Sequence, residues 1–229
     1  MQVLIKLKKS KRSLKRIIFS NNMAELIRLY DKNNSQATLD LIVKALEKDA
    51  VIIYKTDTMY ALGCHIGSTK AVNRICEIKG IQASKNRFSF ICSDLSSIAN
   101  YAKVSDFAFK TLKRFLPGAF TFVLPASSKV PSVLVQGKKT VGIRIPDYEP
   151  VLSIVSHLGS PLLTTSLPHD DLEVEEYTDP SLIMERWGHA VDLVLDGGFG
   201  GFVPSSVVEI SEDAFEIIRE GAGDCSEFS

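Results

Sequence analysis

The polar segment 55–60 carries the side chains in this sequence that are best suited to bind a ligand. An apolar, β-branched run over 51–54 predicts a buried strand, and it is followed by Lys55, Thr56-Asp57-Thr58 and Tyr60. Two hydroxyl groups therefore flank one carboxylate directly behind a strand. Loops at the carboxyl ends of strands hold ligands in open α/β sheets, so the pattern favours a binding loop; an ordinary polar exit from a strand is the alternative.

Hydroxyl groups and cations recur at the ends of other predicted elements. The hydroxyl groups fall in three places, which are Thr56 and Thr58, then Thr164, Thr165 and Ser166, and finally Ser205 and Ser206. The cations are Lys79, Arg144 and Arg219. If the fold gathers these side chains on one concave surface, they would hold polyanions and carboxylates through charge-assisted hydrogen bonds.

Two of these cations lie within apolar patterns. Arg144 sits inside a strand-like run over 140–146, where a charge is costly unless it meets a partner or a ligand anion. Lys79 ends the apolar stripe of a helix that begins near Ser68, which indicates an ammonium group at the rim of a cleft. A snorkelling lysine, or a charge at a helix end, is the alternative for Lys79.

Several common kinds of site are absent from the sequence. There is no GxxxxGK[ST] and no GxGxxG between a strand and a helix, and the run Gly197–Gly201 favours a mobile turn. The four histidines are scattered, which argues against a metal site or a catalytic triad built on histidine. His65 alone lies near the segment 55–60 and is a candidate for contact with a ligand.

The cysteines and the hydropathy bear on the compartment. Cys64, Cys76, Cys92 and Cys225 form no CxxC pair, so reduced thiols in a cytoplasmic protein are expected. No apolar run approaches the ~18 residues of a membrane span.

The net charge of +0 hides a strong asymmetry along the chain. Residues 1–22 carry seven basic side chains and no acidic one, whereas residues 147–229 carry two basic and 18 acidic side chains. The basic early part suits a phosphate-bearing partner such as a nucleotide or RNA. Three interpretations of 1–22 stay open: a transit peptide or RNA-binding arm, a disordered extension, or a segment upstream of a true start at Met23.

Helical and strand-like patterns alternate along the chain, which predicts a mixed α/β sheet in one domain over 23–229. Strand-like runs fall at 51–54, 88–92, 120–124, 140–146, 161–166 and 191–195, with a hairpin at 207–210 and 215–219. The acidic stretch 170–179 is expected to form an exposed loop.

Six motifs resemble, in order, those of the YrdC family. The segment 54–63 resembles the family's PTDTVYGLG, 117–121 its PGPxT, 141–146 its strand with a central arginine, 164–166 the start of its STSAN, 204–209 its PSTVVD and 218–221 its LRxG. The resemblance runs from about residue 37 to residue 224.

This resemblance implies a twisted, open mixed α/β sheet with helices on its faces and a large concave, positive cavity. It also implies synthesis of threonylcarbamoyl-AMP from L-threonine, bicarbonate and ATP with release of pyrophosphate, in support of the t6A modification of tRNA. ATP would be a substrate, and Mg²⁺ would accompany its triphosphate. The implied partners are L-threonine or another carboxylate, and tRNA or other structured RNA. Binding to a membrane is not implied.

The matching positions carry implied roles. Lys79 is the implied catalytic residue. The implied substrate-binding residues are Thr56, Thr58, Tyr60, Thr121, Arg144, Ser205 and Ser206. The implied nucleotide-binding residues are Lys79, Thr165, Ser166 and Arg219, and no metal ligand is implied.

Two departures from the family pattern resemble its YciO branch. Ile81 stands where the family's KxR motif has arginine, and Pro168 stands where its SxN motif has asparagine. Neither side chain can donate a hydrogen bond to a phosphate. We therefore expect nucleotide binding to be kept and synthase activity to be weakened, with binding of double-stranded or structured RNA without synthase activity as the alternative.

Overall fold

The computed structural model describes residues 23–30, 34–81, 88–131, 134, 139–169 and 171–228. The basic segment 1–22 lies outside these residues, so the interpretations of it stay predictions. The strands and helices follow in this order: β1 (Glu25–Arg28), α1 (Gln36–Glu47), β2 (Val51–Tyr54), β3 (Ala61–His65), α2 (Thr69–Lys79), β4 (Ser89–Ile91), α3 (Leu95–Ile98), α4 (Asp106–Phe115), β5 (Phe120–Pro125), β6 (Thr140–Arg144), α5 (Glu149–Leu158), β7 (Leu162–Ser166), α6 (Val174–Thr178), α7 (Pro180–Trp187), β8 (Leu193–Asp196), β9 (Ser206–Ser211), β10 (Ala214–Arg219) and a 3₁₀ helix (Ser226–Phe228).

Ten of these elements form one mixed sheet, in the order β1-β8-β2-β3-β7-β4-β6-β5-β9-β10. The sheet contains both parallel pairs, such as β4 with β6 and β5 with β9, and antiparallel pairs, such as β2 with β3 and β5 with β6. This confirms the predicted mixed α/β sheet.

Local sequence signals set the helix that leads to Lys79. The hydroxyl of Ser68 accepts a hydrogen bond from the backbone N–H of Ala71 and caps the start of α2. Val72 and Ile75 on its buried face pack into the core. Gly80 ends the helix with a φ of 64°, a left-handed conformation that glycine adopts without strain, and so fixes where Lys79 stands.

Alternation along the strands divides the apolar side chains between two faces of the sheet. In β2, Val51 and Ile53 belong to the larger core cluster, whereas Ile52 and Tyr54 belong to the smaller one. Helices α2, α3, α4 and α7 contribute to the larger cluster, and α1 and α5 contribute to the smaller one. Strands β5, β6 and β9 contribute nothing to the smaller cluster, so α1 and α5 leave that part of the same face uncovered.

The structure differs from the sequence expectations at three elements. Residues 174–178 form α6, because an acidic capping box between Glu173 and Glu176 closes its first turn, so the expected loop over 170–179 is wrong there. Residues 61–65, which are not among the predicted strand-like runs, form strand β3 inside the sheet. Residues 25–28 form the edge strand β1, whose mostly exposed side chains give no apolar alternation to detect.

No helix within the described residues is long and apolar enough to cross a bilayer.

Candidate functional site

A concave cavity of about 580 Å³ lies over the part of the sheet that α1 and α5 leave uncovered. Its floor consists of small side chains on β4, β6, β5 and β7, including Ser89, Gly142, Thr121 and Thr164. Gly142 has no room for a larger residue, because a Cβ there would lie 2.6 Å from the Ser89 Oγ. The small residues of this floor therefore leave the space open, and the volume falls within the roughly 300–1,000 Å³ of ligand pockets.

Most of the sequence-predicted site residues meet in this cavity. Those that line it are Thr58, Tyr60, Thr121, Arg144, Thr165, Ser166, Ser205 and Arg219. They come from elements separated by up to 161 positions in the sequence, and the sheet order brings them together. Their roles in binding stay predictions.

Arg144 is the most buried cation of the cavity. It leaves the end of β6 with 8% of its surface exposed, and its terminal NH2 nitrogen donates hydrogen bonds to the Asp57 carboxylate and to the Thr58 Oγ1, at 2.7 Å for the latter. The other Asp57 oxygen accepts a hydrogen bond from the backbone N–H of Asp147 at 3.1 Å. Asp57 therefore compensates the charge of Arg144 and fixes its direction.

The hydrogen bonds of Arg144 with described residues all come from NH2. Its Nε is buried and has no hydrogen-bond partner among the described residues. A buried donor without a partner is unfavourable, but this nitrogen is enclosed by protein atoms, so a ligand in the cavity would meet other donors of the guanidinium.

Thr56 and Thr58 play different structural parts. The Thr56 Oγ1 donates to the Met59 carbonyl at 2.7 Å and accepts from the backbone N–H of Thr58 at 3.2 Å. Thr56 is 1% exposed and is not among the residues that line the cavity, so it shapes the loop. Thr58 lines the cavity and also accepts from Arg144.

Arg219 is the second cation of the cavity, at the end of the edge strand β10. Its Nε and NH2 donate to the Ser205 carbonyl at 3.1 and 2.7 Å. The Ser205 Oγ shares a hydrogen bond of 2.9 Å with the Thr121 Oγ1. Desolvation and the positive charge of Arg144 lower the pKa of Arg219, so the two cations repel each other and an anion between them would relieve that repulsion.

Ser206 points away from the cavity, which departs from its implied place among the substrate-binding residues. It is fully buried, and its Oγ donates to the Gly223 carbonyl at 2.6 Å and accepts from the Gly221 N–H at 2.9 Å. Adjacent residues of a strand face opposite sides, so Ser205 lines the cavity and Ser206 anchors the C-terminal segment.

The glycine run 197–201 packs tightly against the segment 55–60. The Tyr60 hydroxyl donates to the Gly198 carbonyl at 2.7 Å, and the Lys55 Nζ donates to the Gly197 carbonyl at 3.0 Å. A Cβ on Gly201 would lie 2.1 Å from the Thr58 carbonyl oxygen. The sequence favoured a mobile turn here; glycine instead permits close contact between the two loops. Burial raises the pKa of Tyr60, so its hydroxyl stays protonated and donates.

Comparison with known proteins identifies the family to which the chain belongs. Residues 44–221 match the model of the Sua5, YciO and YrdC proteins, a family described as telomere recombination. The chain belongs to the Sua5/YciO/YrdC family. The resemblance seen in the sequence motifs is therefore confirmed.

Individual relatives place the chain within this family. It is 36% identical to the uncharacterized protein YciO of Escherichia coli, over 90% of this chain and 100% of YciO, and the crystal structure of YciO superposes with a TM-score of 0.83. It is 32% identical to a putative threonylcarbamoyl-AMP synthase of Methanocaldococcus jannaschii, over 86% of this chain and 93% of that protein. The structure of P. abyssi Sua5 complexed with L-threonine superposes with a TM-score of 0.74 and 25% identity, over 87% of this chain and 58% of that one.

Lys79 is the catalytic residue that the family resemblance implies. It lies beside the cavity and is not among the residues that line it. Its Nζ donates to the carbonyl of Ser166, a lining residue, at 2.7 Å. Ile81 follows α2 and Pro168 follows β7, each two residues beyond one end of this hydrogen bond. Both are half-buried and neither lines the cavity. Ile81 and Pro168 therefore lie on two segments that the Lys79–Ser166 hydrogen bond connects.

His65 does not line the cavity, and its Nδ1 accepts a hydrogen bond from the Gly67 N–H at 3.0 Å. Among the described residues, no group of three or more His, Cys, Asp and Glu side chains could hold a metal ion. The four cysteines are free and buried.

Sequence reasoning missed several residues of this Sua5/YciO/YrdC cavity. Asp57 was seen only as a neighbour of the two threonines, although it is the partner of Arg144. Glu209 lines the cavity from β9, as do Ser89 from β4 and the apolar Val130 and Leu134 from the β5–β6 connection. Alternation along β9 could have indicated Glu209, because Ser205, Val207 and Glu209 share one face.

Proposed function

We propose that this protein binds ATP and a carboxylate-bearing amino acid in the cavity and forms an adenylate of the threonylcarbamoyl-AMP type. L-threonine is the first candidate for the amino acid, since a relative named as a putative threonylcarbamoyl-AMP synthase is 32% identical and Sua5 has been crystallised with L-threonine. The observation that carries the proposal is the pair of cations, Arg144 and Arg219, in one cavity of about 580 Å³ with hydroxyl groups from Thr58, Thr121 and Ser205.

The chemistry follows from what such a pair can hold. Threonine and bicarbonate first combine to N-carboxythreonine with loss of water. A carbamate oxygen of this species then attacks the α-phosphorus of ATP, the new O–P bond forms, and the α–β bridge breaks with its electron pair leaving on pyrophosphate. Arg144 and Arg219 would offset the negative charge that the attacking and leaving groups bring together.

Magnesium would enter with the triphosphate and would not be held by a protein cage. The described residues offer no cluster of metal ligands, and Glu209 is the one carboxylate among those that line the cavity. This fits the preference of Mg²⁺ for substrate phosphates with few protein ligands.

The departures at Ile81 and Pro168 support a slower reaction in this chain. Loss of an arginine aimed at a phosphate would cost about 2–5 kcal/mol of transition-state stabilisation, which corresponds to a rate lower by roughly 30-fold or more. The Lys79–Ser166 hydrogen bond joins the segments that precede the two positions.

The test is a pyrophosphate assay with product identification by mass spectrometry. Purified protein is mixed with ATP, bicarbonate, L-threonine and Mg²⁺, alongside the double variant Ile81→Arg/Pro168→Asn. We expect slow formation of pyrophosphate and threonylcarbamoyl-AMP, with a faster rate in the double variant. Absence of both products in both proteins, at concentrations where ATP binds, overturns the synthase reaction and leaves nucleotide binding.

The RNA-binding alternative gains no specific support from the cavity. Arg144 is buried and paired with Asp57, which is unsuited to contact with an RNA backbone. The seven basic residues of 1–22 lie outside the described residues. Binding of structured RNA therefore stays a prediction from composition.

A further inference from the structure

Glu209 lies at one end of a straight row of residues across the cavity floor. It pairs with Val123 of β5, Val123 pairs with Gly142 of β6, and Gly142 pairs with Ser89 of β4. Arg144 lies two residues beyond Gly142 on the same strand, which is about 7 Å along the sheet. The acidic end of the cavity is therefore separated from the cationic one.

The same separation holds at the edge of the sheet. Arg219 of β10 pairs with Val207, and Glu216 pairs with Glu209. Arg144 and Arg219 therefore lie at about the same position along their strands. Glu209 and Glu216 lie about two residues further along. A ligand that crosses the floor would meet cations at one end and a carboxylate at the other.

Glu209 has an unused acceptor capacity. It is half-buried and lines the cavity, and it takes part in no salt bridge or side-chain hydrogen bond with another described residue. Glu216 lies directly opposite and is exposed. Like charges at opposed positions of a sheet are unfavourable, so a hydrogen-bond donor from a ligand would stabilise this place.

The surroundings of Glu209 favour a flat, neutral donor. The connection between β5 and β6 begins after Pro125 and ends at Thr140. These two residues pair with each other at the end of the floor where Glu209 lies. Val130 and Leu134 of this connection are buried and line the cavity. Apolar walls suit the faces of an aromatic base, whereas a hydrated ammonium group would lose its water there.

The opposite end is suited to phosphate by an independent observation. Arg144 is more than nine-tenths buried, lines the cavity and makes its hydrogen bonds with described residues through NH2 alone, so its guanidinium keeps donor capacity. Arg219 and the hydroxyl of Ser205 lie at the same end. Charge-assisted hydrogen bonds to phosphate oxygens would use these donors.

We propose that a nucleotide lies across the floor with its phosphates at Arg144 and Arg219, and that the Glu209 carboxylate accepts a hydrogen bond from the exocyclic amino group of its base. Glu209 is then the residue that makes the cavity select amino-bearing bases such as adenine. This inference rests on the proposed function, since it requires that a nucleotide enters this cavity.

The experiment is isothermal titration calorimetry of the full chain with three probes. ATP is compared with purine riboside 5′-triphosphate, which lacks only the amino group, and with inorganic tripolyphosphate. We expect ATP to bind about ten-fold or more tightly than the purine analogue, as a hydrogen bond to a charged group implies. In Glu209→Leu, ATP affinity should fall to that of the analogue, while tripolyphosphate affinity stays unchanged or rises.

Glu216→Leu is the matched control, because it removes the same charge from the facing strand outside the cavity lining. It should keep the preference for ATP. Equal binding of ATP and the analogue by the wild type, or an equal loss of the preference in Glu216→Leu, overturns the role of Glu209. Failure of every triphosphate to bind overturns the proposed function as well, so the two failures are distinguishable.

Discussion

The guanidinium of Arg144 forms a buried salt bridge with the carboxylate of Asp57, and the two side chains are only 9% and 11% exposed. The family resemblance implied that Arg144 binds substrate, but part of its hydrogen-bonding capacity is already taken by the protein. Asp57 holds the arginine at the cavity wall and offsets its charge. The exposed Arg219 is therefore the cation whose charge a ligand meets without a carboxylate beside it.

Replacing Asp57 should destabilise the protein more than replacing both partners. In Asp57→Asn the buried arginine loses its counter-charge, and the free energy of unfolding should fall by about 3 kcal/mol. The double variant Asp57→Asn/Arg144→Met should recover a large part of this loss, because no uncompensated charge remains. Urea denaturation of both variants and of Arg144→Met measures the coupling; a double variant that loses the sum of the single effects would contradict it.

Replacing Arg219 should weaken anion binding without unfolding the chain. In Arg219→Gln we expect the Kd for ATP to rise about ten-fold or more, because a charge-assisted contact is lost. Arg186→Gln is the control, since Arg186 is an exposed arginine that pairs with Glu176 on α6 and does not line the cavity. Calorimetric titration at two salt concentrations should show a smaller salt dependence in Arg219→Gln only.

The contact between Gly201 and Thr58 predicts a functional effect of one methyl group. In Gly201→Ala, the new Cβ would lie 2.1 Å from the Thr58 carbonyl oxygen, so the segment 55–60 must move and ligand affinity should fall. Gly159→Ala serves as the control: its φ of 68° makes alanine strained, but no atom lies within 4 Å of the new Cβ. It should lower stability by about 1 kcal/mol and leave ligand affinity unchanged.

Buried thiols predict a loss of stability in alkali. Burial raises the pKa of Cys64 and of Cys92 from 9.0 to about 12 in the folded chain. Well below pH 9 both thiols are protonated in the folded and the unfolded states, so the stabilisation is complete. As the pH rises from 9 to 12, only the unfolded state ionises, and the free energy of unfolding should fall.

The measurement for this prediction is urea denaturation at pH 7.5, 9 and 10.5. The variant Cys64→Ala/Cys92→Ala should be less stable at pH 7.5 because of the cavities it creates, but its stability should decline less steeply between pH 9 and 10.5. An identical decline in both proteins would mean that other groups control the alkaline limb.

The strands that could be predicted from the sequence are those marked by patterns among neighbouring residues. The buried strand 51–54 and the hairpin that ends at Arg219 were predicted because apolar periodicity and turn residues mark them. Strand β3 was missed because Ala61-Leu62-Gly63 lacks β-branched residues. Gly63 occupies the middle of that strand for a tertiary reason, since a Cβ there would lie 2.7 Å from the Tyr54 ring.

The family, the mixed sheet and most of the polar side chains that line the cavity could be predicted from the sequence, because ordered motifs and strand periodicity involve neighbouring residues. The contacts that those side chains make depend on the folded arrangement. It paired Arg144 with Asp57 across 87 positions, turned Ser206 away from Ser205, and closed the glycine run onto Tyr60. These outcomes depend on strand order and on which face of a strand meets which neighbour, and contacts between distant segments fix both.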